Sequence, residues 1–225
     1  VRQRVAYELE HGVEGWWNPV GNSAGWEQVM VVNVSTPANR QYQGLRIPEI
    51  AARRGVTPLD AVCDLLVAER GAVAVVLFLM DPADVRAFLA APGVAVGSDG
   101  SAVAPYGSTA AGLVHPRAYG TFPRVLGRLV RQEGLLSLPA AVHKMTGLPA
   151  RRLGLTDRGV IRPGARADLV LFSPDEIIDT ATYEKPHAYP RGIAYVLVNG
   201  VVVIDQGEHT GARPGRVLRR GRPSG

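Results

Sequence analysis

The residue with the most chemical promise is Asp99, held in the run Gly97-Ser98-Asp99-Gly100. It follows a short apolar stretch, Gly93 to Gly97, that reads as a buried strand. An aspartate there stands at the carboxyl end of a strand, where α/β folds and barrels place catalytic groups. Asp-Gly is also ordinary turn chemistry, and spacing alone leaves both readings open. Further along come His115-Pro116-Arg117 and Phe122-Pro123-Arg124, around Tyr119 and Gly120. An arginine reads a carboxylate through a planar fork that donates two parallel hydrogen bonds, although such arginines also serve as surface or interdomain pairing groups. His11, His143, His187 and His209 are scattered, with no HxH or HExxH among them, and read as polar surface residues rather than ligands. Cys63 falls on the apolar face of a predicted helix, which favours a buried structural thiol over a nucleophile. No Walker loop, GxGxxG or GxSxG occurs.

The elements that must position these residues alternate in type. Val1 to Glu10 has helical spacing, Trp16 to Trp26 is a loop, and Gln28 to Val34 is a Val-rich strand. Ile47 to Arg54 reads as a helix stopped by Gly55. Thr57-Pro58 then opens another, with Thr57 as N-cap and Leu59, Val62, Leu65 and Leu66 on one face. Val73 to Leu79 reads as a buried strand, and Asp81-Pro82 starts a helix over Ala83 to Ala91. Ser101 to Gly120 is rich in Gly, Ala, Ser and Pro, and a loop of that length inside a compact domain is more often functional than idle. Helices are expected over Pro123 to Glu133, over Ser137 to Thr146 with Ser137 as cap, and around Pro149 to Leu153. The pattern then turns to strands at Ala167 to Phe172, Ile193 to Asn199 and Val201 to Asp205, the last two joined by a hairpin at Asn199-Gly200. The whole reads as α/β followed by a small β unit and a basic tail.

Composition bounds what this architecture could do. The chain has 225 residues, 46% of them hydrophobic and 20% charged, which excludes disorder and leaves room for a sizeable core. A single cysteine excludes an intrachain disulfide and a CxxC zinc knuckle, and points to a cytoplasmic location. The longest apolar run, Ala72 to Met80, is far short of the roughly 20 residues of a membrane helix. The formal charge is +5, and the five arginines 213, 216, 219, 220 and 222 of the acid-free tail account for all of it, which leaves a body near zero. With aromatics at 6% and no stacking motif among the basic residues, neither a nucleic-acid nor a membrane partner is expected. The chain opens at Val1 rather than at a methionine, so an upstream part is kept in view.

Several motifs in register carry a resemblance. The run Gly97-Ser98-Asp99-Gly100, the stretch from His115-Pro116-Arg117 to Gly127, and Lys144-Met145-Thr146-Gly147-Leu148-Pro149-Ala150 resemble the N-acyl-D-amino-acid deacylase (D-aminoacylase) family of the amidohydrolase superfamily. Asp157 to Phe172, Val196 to Gly200 and Thr210 to Leu218 resemble the ending of that family. The likeness is close over 93–220, looser over 26–90 and weak over 1–25.

The resemblance implies a metal-dependent TIM-barrel hydrolase with a small β-sandwich domain, in which a zinc-bound water attacks an amide carbonyl and an aspartate after the last barrel strand moves the proton. Asp99 maps onto that aspartate and is also a candidate metal contact. Arg117, on the loop that follows, is the expected reader of the substrate carboxylate, with His115 as a second candidate substrate contact. The upstream HxH, the ligand cysteine and the later histidines of the family have no counterpart here. The chain therefore resembles the C-terminal portion: 1–92 an inserted α/β segment, 93–160 the last barrel strand with its active-site loop and helices, 161–212 part of the small β-sandwich, and 213–225 a basic tail. The implied function is hydrolysis of N-acyl-D-amino acids, small-molecule substrates, with zinc in the complete enzyme and an isolated fragment that is inactive without the N-terminal half of the barrel. A cyclic-amide hydrolase of hydantoinase or dihydroorotase type, and a non-catalytic module derived from the same fold, are the alternatives.

Overall fold

Thr57 shows how local chemistry sets the elements: its Oγ1 accepts the N–H of Asp60 at 3.1 Å, and the helix α3 (Pro58–Ala68) begins there with proline in its first turn. Such starts recur through the computed structural model, which describes residues 1–21 and 25–219. The chain forms two compact units, each assembled from separate stretches. The first comprises Val1–Asp81, Ala102–Pro116 and Thr182–His187; the second comprises Pro82–Ser101, Arg117–Ala181 and the chain from Ala188 onward.

In the first unit, α1 (Arg2–His11) and α2 (Ile47–Arg54) accompany α3 and an antiparallel pair, β1 (Val29–Val34) and β2 (Val73–Leu77). β1 is buried on both faces. Val29, Val31 and Val34 pack with Ile47, Ile50 and Ala51 of α2 and with Ala61 and Leu65 of α3. Met30 and Val32 pack with Val76, Phe78, Leu113 and Tyr183. A register shift between Val31 and Asn33 lets even-numbered Val34 join the odd-numbered face, as an extra residue in one strand must. β2 does not match the buried strand expected from its wholly apolar sequence. Val76 is buried, but Val75 and Leu77 are 42% and 38% exposed, because β2 pairs with β1 alone among the described residues.

The second unit holds α4 (Pro82–Ala90), α5 (Arg117–Arg124), α6 (Leu138–Met145), α7 (Gly147–Arg152) and a four-stranded antiparallel sheet. Its strands, β3 (Leu169–Phe172), β4 (Ile193–Val198), β5 (Val201–Asp205) and β6 (Glu208–His209), lie in sequence order. The Asn199-Gly200 hairpin forms as expected, with both residues at positive φ, +48° and +80°. Asp168 accepts the Asn199 N–H at 2.7 Å and pairs with Arg158, which also grips Asp157, so the segment entering the sheet is tied to its hairpin. Val125, Leu126, Ala141 and Ile177 form the core, joined by Val96, Leu129, Met145, Phe172 and Ile193.

Two expectations fail in this unit. The helix predicted to open at Pro123 begins at Arg117, with Pro123 inside it, and continues as a wider π-type stretch over Val125–Gln132. Proline supplies no backbone donor to a helix interior, but Pro123 is buried and the helix carries through it. Residues 93–97 do not form the buried strand; Gly93 lies in a turn and 94–97 belong to no helix or strand, with Val96 donating its N–H to the Lys144 carbonyl at 3.1 Å. A parallel barrel strand takes its ladder from neighbours on both sides, and the described residues contain no parallel ladder. Among the described residues, no helix is long and apolar enough to cross a membrane. Of the basic tail, 220–225 lie outside the described residues.

Candidate active site

Asp99 sits in the left-handed region at φ +48°, which an aspartate tolerates better than most residues. Its side chain is 85% exposed and lies 2.9 Å from a guanidinium nitrogen of Arg117, the first residue of α5. Two features of the sequence bring them together. Gly100 packs against the first turn of α5, where a Cβ would stand 3.1 Å from the Ala118 Cα and 3.3 Å from the Arg117 carbonyl oxygen. The residues before Asp99 are anchored on the core through Val96. The glycine after Asp99 thus serves close packing, while Gly97 before it borders open space. The arrangement is a water-facing carboxylate beside a fixed cation, fit to take up and return a proton next to a group that recognises an anion.

The other predicted residues take different places. His115 belongs to the first unit, where its ring meets Tyr183 edge-on at 5.1 Å and its Nε2 lies 3.3 Å from the Tyr183 hydroxyl. Phe78 completes that aromatic group, with the Arg46 guanidinium 4.3 Å above its ring. Arg124 is engaged elsewhere: with Arg128 it holds the 3%-exposed Asp179 carboxylate, at 2.9 and 2.8 Å, which is the pairing role considered for it. Gly120 makes room for this, since a Cβ would come within 2.9 Å of the Asp179 Cβ. His11 stacks on Tyr7, the His187 Nε2 lies 2.9 Å from the Gly112 carbonyl, and the His209 Nδ1 accepts the Gly211 N–H. Cys63 is half-buried on α3.

Sequence reasoning passed over Lys144, which lies inside a quoted motif. It is buried on α6 and donates to backbone carbonyls of the segment leading to Asp99. Its signal was a lysine three residues after Ala141, on the apolar face of α6. Asp179, in a stretch without periodicity, offered no comparable signal.

A catalytic zinc takes about three protein ligands. Among the described residues no three His, Cys, Asp or Glu side chains gather to hold a metal, and Asp99 brings one carboxylate already engaged by Arg117. These residues do not by themselves make up a zinc site.

Asp99 and Arg117 thus stand in a unit of helices that leads into a small antiparallel sheet. The sequence model of the amidohydrolase family matches residues 34–204, and the chain belongs to that family. It is 46% identical over 179 residues to an N-acyl-D-aspartate deacylase and 44% identical over 180 residues to a D-aminoacylase, both from Alcaligenes xylosoxydans xylosoxydans. These matches cover 79% and 80% of the chain but 33% and 35% of the relatives, so the chain spans about a third of their length. Among solved structures it is similar to the N-acyl-D-glutamate deacylase from Bordetella bronchiseptica complexed with zinc and a phosphonate mimic of the tetrahedral intermediate. The TM-score is 0.74 at 38% identity, over 88% of this chain and 39% of that one.

Proposed function

We propose that the chain is the C-terminal portion of a zinc-dependent enzyme that hydrolyses the amide bond of N-acyl-D-amino acids, with Asp99 as its proton shuttle. The observation that carries the proposal is the exposed Asp99 carboxylate lying 2.9 Å from Arg117. Amide hydrolysis needs a base for the attacking water and an acid for the leaving nitrogen, and one carboxylate at hydrogen-bond reach serves both in turn. Every N-acyl amino acid also carries a carboxylate, which Arg117 reads through its fork. The identity to deacylases of D-amino-acid derivatives supports this substrate class.

On this reading 1–92 is the insert before the last barrel strand, 93–160 supplies that strand's segment with the site, 161–212 contributes to a small β-sandwich, and 213–225 is a basic tail. The strand neighbours missing around 93–97, and the zinc ligands, belong to the length of the relatives that this chain does not span. The test is Asp99→Asn in the complete, zinc-loaded enzyme, since the amide is nearly isosteric and removes the base. The variant's kcat should fall at least about 100-fold with a modest change in KM. Turnover within a few-fold of the parent would return Asp99 to a turn residue.

A further inference from the structure

Lys144 is 4% exposed, in a place where lysines are rare unless paired. Its Nζ donates to the Ala91 carbonyl and, at 3.0 Å, to the Val94 carbonyl, while its own backbone carbonyl accepts the Val96 N–H at 3.1 Å. All three partners are backbone groups of residues 91–96, three residues short of Asp99. Burying an ammonium is costly unless hydrogen bonds offset the loss of water, so a lysine here is a poor choice for filling space. Ala141, one turn earlier on α6 and fully buried, is apolar, and an apolar side chain at 144 would pack there without that cost. The charge is explained by what it holds. Lys144 supplies three hydrogen-bond partners to the backbone of residues 91–96. Asp99 itself is exposed and fills no core site, so its place depends on the segment that leads to it and on Gly100 after it.

We infer that Lys144 is a positioning residue for Asp99, which it serves by fastening residues 91–96 to α6 so that the carboxylate stays at a fixed height beside Arg117. The inference rests on the reading of Asp99 as the proton shuttle. Its experiment is a double-mutant cycle in the complete, zinc-loaded enzyme with Lys144→Met, which keeps the stem and removes the ammonium. Because a displacement of about 1 Å can cost about 100-fold, kcat should fall roughly 10- to 100-fold in the single variant. In the Asp99→Asn background the same substitution should cost less than about threefold, because the group it positions is gone. Equal losses in both backgrounds would mean a merely structural role and would overturn the inference. So would parent-like kcat for Lys144→Met while Asp99→Asn is impaired, an outcome that leaves the proposed function standing. An active Asp99→Asn enzyme would remove both. Should Lys144→Met fail to fold, Lys144→Leu, which likewise removes the ammonium, takes its place in the cycle with the same two outcomes.

Discussion

An exposed carboxylate and guanidinium contribute little to stability, because water screens them, so the Asp99–Arg117 contact matters for what it places rather than for what it holds together. Asp179 is the opposite case: a buried carboxylate gripped by two arginines fastens α5 and the π-type stretch to the chain between β3 and β4. Residue type foretold neither partner, since Arg117 and Arg124 stand in similar Pro-Arg settings and differ in what lies opposite them. Arg117→Lys keeps the charge and loses the fork. In the complete enzyme this change should lower kcat/KM on free-acid substrates by about 1.5 to 3 kcal/mol, the range for a hydrogen bond to a charged group. On substrates whose carboxylate is amidated the two enzymes should run alike. Parent-like kinetics of Arg117→Lys on the free acids would end its role as the carboxylate reader.

Caps and hairpins were legible because their chemistry is local. Thr57, Ser137 and Asn199-Gly200 each act within three residues, and each acts as the sequence implies. Glu69, at the end of α3, acts across more than thirty residues and carried no such signal. Burial works to raise its pKa, but Asn39 and the N–H groups of Thr36 and Ser35 outweigh that, holding the carboxylate down from 4.5 to about 2. A depressed pKa means that Glu69 stabilises the fold fully above pH 4.5, and that this contribution is lost as the pH falls from 4.5 toward 2. All three tryptophans lie in the first unit, where Trp26 packs against the core, so tryptophan fluorescence reports its unfolding. Urea midpoints of the parent and Glu69→Gln should differ above pH 5 and converge as the pH is lowered toward 2. Curves that stay parallel over that range would show that Glu69 is not the anchor described.

At the scale of the whole molecule, two compact units leave apolar residues of β2 and β3 in water, among them Val75, Leu77, Val170 and Leu171. A complete barrel has no such edges. With no three-residue metal cluster among the described residues, the 225-residue chain alone should retain far less than one zinc per chain after dialysis and should not turn over N-acyl-D-amino acids. Atomic absorption on the dialysed chain, with an amine-release assay alongside, measures both. Stoichiometric zinc together with turnover would show that the chain builds its own site.

The sequence alone determined most of the order of helices and strands, the caps, the hairpin and the candidate carboxylate, because turn chemistry and hydrophobic period act over a few residues. Burial was beyond it: β2 and residues 93–97 are apolar enough for buried strands, but a strand is completed by its neighbours, which may be distant in sequence or outside the chain. The Pro123 helix was misplaced because proline marks a first turn in most settings and here lies inside a helix that packing holds together. Only the tertiary structure decided that Arg117 meets Asp99, that Arg124 meets Asp179, and that Lys144 turns inward to the segment before the site. Those pairings depend on which backbone comes to lie opposite which side chain, a matter of long-range packing that local propensity does not encode.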